Sequence, residues 1–272
     1  MSVALRPLNT GELLDRTFSL YRSHFALFLG IVAIPHLFLL AFQLLGVAIL
    51  PNRKDLASIG YTMLWLCGYI LVSVLVAAVS QAATVIAVSN VYLDRPASVL
   101  DSFSQVKDKI LGVVFLSILT FFAVVGASML LFVPGILLTV RWSLSIQAKV
   151  LEDLSATDAW SRSSQLSEGN RWRIFVIWLL FVALSIAVAM LVQWPVTFAS
   201  IMITRNMGPS AQIWAQIASA VSSFVSQCLV APLSTIAFSL VYYDERVRKE
   251  EFDLQLMMTT LDSQQQLQPA PA

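Results

Sequence analysis

Charge is what this sequence has least of, and the shortage is concentrated. Asp, Glu, Lys and Arg make up 12% of its 272 residues, against about 25% in a soluble domain. The stretches 25–50, 56–93, 110–140, 174–204 and 206–243 contain none of them. Roughly 20 apolar residues cross a hydrocarbon core, so each stretch can span it at least once. A soluble helix of that length and purity would have nothing to face. A water-soluble globular fold is therefore excluded.

Histidine is nearly missing as well, with only His24 and His36. No acid lies inside any apolar run, and every acid except Asp55 falls on one expected side of the membrane or in the tail. A carboxylate pair, a metal cluster or a nucleophile–histidine–acid set needs such residues converging in one pocket. The sequence thus predicts no catalytic residues, no metal site and no cofactor. There is no GxxxxGK[ST] loop to cradle a nucleotide, and the basic residues are too dispersed for a nucleic-acid surface. Cys67 and Cys228 sit in apolar runs without CxxC spacing; they read as small hydrophobic core residues. A cleavable leader is not expected, because the first run starts at Phe25, after Glu12, Asp15, Arg16 and Arg22, and outlasts a signal h-region.

What is present is an all-α, polytopic pattern. Six transmembrane helices are expected, at about 25–50, 59–92, 110–132, 136–150, 172–203 and 211–243. They form one integral membrane domain over 1–252, and the Gln-rich remainder, 253–272, is expected to be a disordered tail. Pro134-Gly135 marks a tight turn between the third and fourth spans. Pro35, Pro195 and Pro232 fall inside spans, where each removes a backbone hydrogen bond and favours a kink. Spans two, five and six exceed one crossing, so they are tilted or extend into water.

Orientation follows from Lys and Arg. Thirteen of them flank one side of the six spans and only Arg53, Lys54 and Arg205 the other. The bias predicts both termini in the cytoplasm. The cluster Arg246, Arg248 and Lys249 could attract anionic lipid headgroups, but Glu245, Glu250 and Glu251 beside it weaken that pull, leaving an orientation anchor.

Three stretches ahead of the odd-numbered spans look alike: 12–18 (ELLDRTF), 98–103 (SVLDSF) and 158–163 (DAWSRS). Leu14, Phe18, Tyr21 and Phe25 make a helical stripe in the first. Val99, Phe103, Val106 and Ile110 do so in the second, and Ala156, Trp160, Ser163 and Ser167 make a weaker one in the third. Ser155-x-x-Asp158 has the form of a capping box. Each stretch reads as a short amphipathic helix lying in the membrane interface. An acid closes the helix ends at Asp94, Glu152 and Asp244. Together they predict three repeats of interfacial helix plus transmembrane hairpin.

Arg141 is the one fixed charge within an expected span, and it is the candidate intramembrane polar site. Inserting a cation at mid-helix costs about 2.5–3.5 kcal/mol, so it must face protein, water or a headgroup. It either contacts an anionic ligand or lipid phosphate, or snorkels to the outer headgroups. Gln81, Asn90, Gln147, Gln193 and Gln227 lie in or near spans, where amides commonly serve as interhelical glue.

Residues 6–22, the pair Pro134-Gly135 with Arg141-Trp142, and residues 242–253 together resemble the glycerophosphoryl diester phosphodiesterase membrane domain family. The resemblance implies a multi-pass protein of the bacterial cytoplasmic membrane. It implies no activity, because the soluble catalytic domain of such fusions, with its His and acidic metal ligands, is missing. The expected function is a non-enzymatic membrane module in contact with the lipid bilayer. It would act in an envelope or lipid-metabolism process through a membrane or cytoplasmic protein partner. The alternative is a small transporter or flippase-like protein for an anionic or lipid substrate, with Arg141 and the kinked helices lining the path.

Overall fold

In hydrocarbon a backbone N–H or C=O has no water to bond, so an apolar run closes its own hydrogen bonds as a helix. A computed structural model of the chain describes residues 8–49, 56–207 and 209–250. Among them every regular element is helical: α1 (Thr10–Ser23), α2 (Phe25–Ile49), α3 (Leu56–Tyr92), α4 (Val99–Val106) and α5 (Ile110–Leu130) make the first half. The second half holds α6 (Phe132–Arg141), α7 (Ser145–Glu152), α8 (Ala156–Ser167), α9 (Arg171–Met207) and α10 (Pro209–Glu250). Arg6, Arg53 and Lys54 and the tail 253–272 lie outside the described residues.

Five helices, α2, α3, α5, α9 and α10, are long and apolar enough to cross a membrane. The single helix expected over 136–150 is corrected. The chain leaves helical geometry at residues 142–144, splitting that passage into α6 and α7. Together these two still run back along α5. Gly135 lies against Ser128 at one end, and at the other the Lys109 ammonium donates to the Val150 carbonyl at 3.0 Å. Gly135 is required there, because a Cβ would stand 3.1 Å from the Ser128 Cα.

Leu8 touches Asp244, Tyr92 stacks on Tyr243 and Glu152 meets Tyr242. The two ends of the described chain and the closing ends of α3, α7 and α10 therefore share one end of the bundle. The main core sits there too, built on Leu13, Phe28, Ile31, Leu144, Ile174 and Leu240. A second cluster, Ala78, Ala82, Val85, Val106, Val113 and Val150, joins α3, α4, α5 and α7, and its alanines let the backbones approach closely. At the opposite end Met129, Leu130, Leu131, Leu191, Trp194 and Phe198 remain exposed. Large apolar side chains exposed in such number mark a surface solvated by lipid.

The three short helices α1, α4 and α8 begin alike. Asn9 caps α1 in a full capping box with Glu12. Ser98 and Ser155 each accept from the backbone N–H three residues on and donate to that residue's carboxylate, Asp101 and Asp158. Asp94 and Asp153, just past α3 and α7, both take the left-handed conformation at φ 54°. The likeness stops at these entries, because the helices that follow are 25, 21 and 37 residues long and the middle hairpin returns broken.

The buried faces follow the expected stripes only in part: Leu14, Tyr21, Val99 and Phe103 pack on the main core, and Val106, Ser163 and Ser167 are buried. In α1 the buried residues are Leu13 and Thr17, while Phe18 and Phe25 are exposed. In α4 Ser102 is buried beside Val106. In α8 Ala159, Ser163, Leu166 and Ser167 face inward. The reason is that these helices pack on other helices: α1 against α10, α4 against α3, and α8 against α7. The small hydroxyl residues Thr17, Ser102, Ser163 and Ser167 fill these contacts alongside Leu13, Val106 and Leu166, while Phe18 and Leu100 face outward.

Candidate functional site

Proline, amide and hydroxyl residues converge in the middle of the bundle. Pro35 and Pro232 lie inside α2 and α10, and a helix interrupted by proline has carbonyls that need other donors. Next to Pro35, His36 Nδ1 lies 2.8 Å from the Val32 carbonyl and 3.5 Å from Ser80 Oγ on α3. Around Pro232, Ser234 and Thr235 both donate to the Ala231 carbonyl, at 3.0 and 3.1 Å. Tyr21 of α1 donates to the Leu229 carbonyl at 3.1 Å. Burial, then the neighbouring Cys228, push the Tyr21 hydroxyl above the ordinary tyrosine range, which keeps it a donor at neutral pH.

Three adjoining cavities occupy this region. The first, about 250 Å³, is bordered by His36, Ser80, Gln81, Gln193, Ser226 and Gln227 among others. The second, about 520 Å³, lies between α3, α5, α9, α10 and the break between α6 and α7. The third, about 410 Å³, continues from His36 past Gln43 and Tyr69. Ala77 borders all three. Among the described residues no Asp, Glu, Lys or Arg lines any of them.

Of the five amides singled out in the sequence, Gln81, Gln193 and Gln227 line the first cavity and Gln147 the second. Asn90 lines none of the three. The sequence reading missed the hydroxyls beside them, Ser80, Ser226, Ser234 and Thr235. Their signal was available: Ser226 and Ser234 recur at helical spacing on one face of an otherwise apolar run.

Arg141 borders none of these cavities. Its side chain is exposed, and its Nε donates to Ser164 Oγ on α8 at 2.8 Å. This places it against α8, a helix joined to the end of the bundle that holds both ends of the described chain, through Arg162–Glu152 and Lys249.

Beneath it, α8 repairs the break. Ser163 Oγ donates to the Arg141 carbonyl at 2.9 Å and accepts from the Leu144 N–H at 3.2 Å. Trp160 stacks on Trp142, ring centroids 4.5 Å apart, and its indole N–H reaches Thr120 Oγ1 at 2.9 Å.

At the chain-end face the acids that close the helices are held by arginines. Asp244, its side chain fully buried, accepts from the Leu8 N–H at 2.6 Å, Arg173 at 2.5 Å and Arg248 at 3.0 Å. Both guanidinium groups also donate to the Leu8 carbonyl, at 3.0 and 2.6 Å. Glu152 pairs with Arg162 and Arg246. Lys249 donates to the Gln165 and Glu168 carbonyls, each at 2.6 Å. The basic cluster Arg246, Arg248 and Lys249, read from the sequence as an orientation anchor, is engaged within the protein.

Among the described residues no group of three or more His, Cys, Asp or Glu is gathered as a metal site would need.

Neither a curated protein nor a solved structure matches the chain. A protein family does, over residues 49–245, and it is described as a domain of unknown function, DUF7847. The match names that family and not the glycerophosphoryl diester phosphodiesterase membrane domain. Because residues 49–245 take in α3 to α9 and most of α10, and with them most of the cavity walls and the α6–α7 break, the chain belongs to the DUF7847 family.

Proposed function

We propose that this protein is a non-enzymatic, multi-pass module of the bacterial cytoplasmic membrane that takes an uncharged polar or lipid molecule into its helix bundle, in the manner of a small transporter or flippase. The observation that carries the reading is the row of three adjoining cavities whose described walls hold amides, hydroxyls and one histidine but no fixed charge. A purely structural bundle packs its interior to crystal-like density, and polar side chains acting only as glue would be turned to one another across closed contacts. An anionic substrate is disfavoured, because Arg141 lies away from the cavities.

The test is accessibility. In a background with Cys67→Ser and Cys228→Ala, single cysteines are placed at Gln193 and Ser226 on the cavity walls and at Ala237 in the packed core. Membranes are then treated with N-ethylmaleimide, which needs a hydrated thiolate. The expected outcome is labelling at the first two positions and none at Ala237. Protection of all three would mean a closed interior and would sink the reading.

A passive module serving a lipid-metabolism partner is the second reading. One observation favours it: two of the three stretches that carry the family resemblance, around Leu8 and around Asp244, are locked together by Arg173 and Arg248 into one polar face. Such a face, at the end expected to be cytoplasmic, could receive a protein.

A further inference from the structure

Two side chains that line the second cavity, under the α6–α7 break, carry buried polar atoms with no partner in the protein. Gln147 is 4% exposed, yet its Oε1 has no hydrogen-bond partner, and neither has Ser117 Oγ across the cavity on α5. Buried amide and hydroxyl groups are almost always paired with protein or water. Leaving one bare costs about 1–3 kcal/mol, so two bordering one cavity call for an occupant.

The other hydroxyls around the cavity show what it must be. Thr120, Thr139, Ser143, Ser145, Ser234 and Thr235 all donate to backbone carbonyls three or four residues earlier in the chain. Their protons are committed, and what they turn to the cavity is lone pairs. The donors available on the same wall are the amide groups of Gln81 and Gln147 and the indoles of Trp142 and Trp178. A ligand hydroxyl, which both donates and accepts, satisfies either end of the Gln147 amide. An ester or ether, which only accepts, leaves Oε1 bare. A charged headgroup would lose its hydration and meet no counter-charge.

The rest of the wall is apolar, with Phe121, Val124 and Val125 from α5 and Phe238 from α10. The α5–α6 hairpin that bounds it is thinly held: α5 buries only Val113 and Leu116, while Leu130, Leu131 and Leu137 face outward. Access from the lipid side is therefore short.

We infer that this cavity is a binding site for an uncharged amphiphile bearing a free hydroxyl, its hydroxyl on Gln147 and Ser117 and its apolar body against α5. The inference rests on the open-interior reading above and names its ligand class. No bond is made or broken in the step; it is binding alone.

The experiment is native mass spectrometry of the full-length protein in mild detergent, titrated with three matched probes. These are dioctanoylglycerol with one free hydroxyl, the same diester acetylated at that hydroxyl, and dioctanoyl phosphatidic acid. One dioctanoylglycerol should bind per chain, and the acetylated and anionic probes should bind at least about tenfold more weakly, as loss of one buried hydrogen bond implies. Gln147→Leu, which keeps the bulk and removes the acceptor, should weaken dioctanoylglycerol by about the same factor. Ser117→Ala serves as the second variant should Gln147→Leu fail to fold. Equal binding of the three probes, or unchanged binding by the variants, overturns the site. So does a failure of dioctanoylglycerol to bind at all while Ser226→Cys is still labelled, and that result leaves the open interior standing. Loss of the labelling instead strikes the reading beneath both.

Discussion

Single residues in this bundle matter where they complete a backbone that the helix left open. Ser163 is the clearest case, since its hydroxyl serves both sides of the break through the Arg141 carbonyl and the Leu144 N–H. Both Ser163 and Leu144 are fully buried, so no water can take over. Ser163→Ala is therefore expected to cost about 1–3 kcal/mol, read as a fall in the thermal midpoint in detergent. Exposed Ser161→Ala, two residues away on the same helix, should stay within about 0.5 kcal/mol. Equal midpoints for the two variants would mean that the break is held by packing alone. Arg141 teaches the complementary lesson. A cation in an apolar run draws notice in a sequence, but its own charge does not say which neighbour will meet it. Here that neighbour is Ser164, from a helix twenty-three residues on.

Among the elements, the α5–α6 hairpin is the one whose geometry hangs on a side chain that is not there. An added Cβ at Gly135 would come 1.9 Å from Ser128 Oγ and 3.1 Å from its Cα, and the second of these is backbone that cannot rotate away. Gly135→Ala should destabilise by about 1–3 kcal/mol through overpacking. Gly126→Ala on the same hairpin meets nothing within 4 Å and should be neutral or stabilising by up to about 1 kcal/mol through helix propensity. Thermal unfolding of the pair decides it, and a Gly135 variant as stable as the Gly126 variant would remove the close crossing. The long helices need no such device. At 1.5 Å per residue α9 runs about 55 Å, well beyond the roughly 30 Å of hydrocarbon, so it either tilts strongly or emerges. The polar network at its Arg173 end indicates emergence there, where Asp244, Glu245 and Asn170 meet it.

For the whole molecule, the decisive quantity is the number of passages. Leu8 and Asp244 are in contact, so the described chain starts and finishes at one end of the bundle. Five long helices alone would leave it at opposite ends; we propose that the return through α6 and α7 is a broken sixth crossing, which would make the count even. Combined with the thirteen-to-three distribution of Lys and Arg, this predicts both termini inside the cell. Alkaline phosphatase, which folds only when exported, should be inactive when fused after residue 252 and active when the chain is cut at Gly208. Activity in the first fusion, or silence in the second, would invert or break the topology.

What the sequence determined by itself is the solvent and the spacing of the passages. Those are local properties: an uncharged run of sufficient length must close its own hydrogen bonds in lipid, wherever its neighbours are. The cap at Ser155 was legible for the same reason, since it acts within four residues of chain. The tertiary structure decided which faces meet. A helix apolar on every side carries no amphipathic stripe to mark its inner face, so nothing local could say that Gln81, Gln193 and Gln227 would border one space, or that α8 would fill the break after Arg141. Those arrangements depend on small residues such as Ala78 and Ala82 allowing α3 to sit close to its neighbours, and on hydroxyls from distant segments meeting the carbonyls and N–H groups of the proline-containing and broken helices.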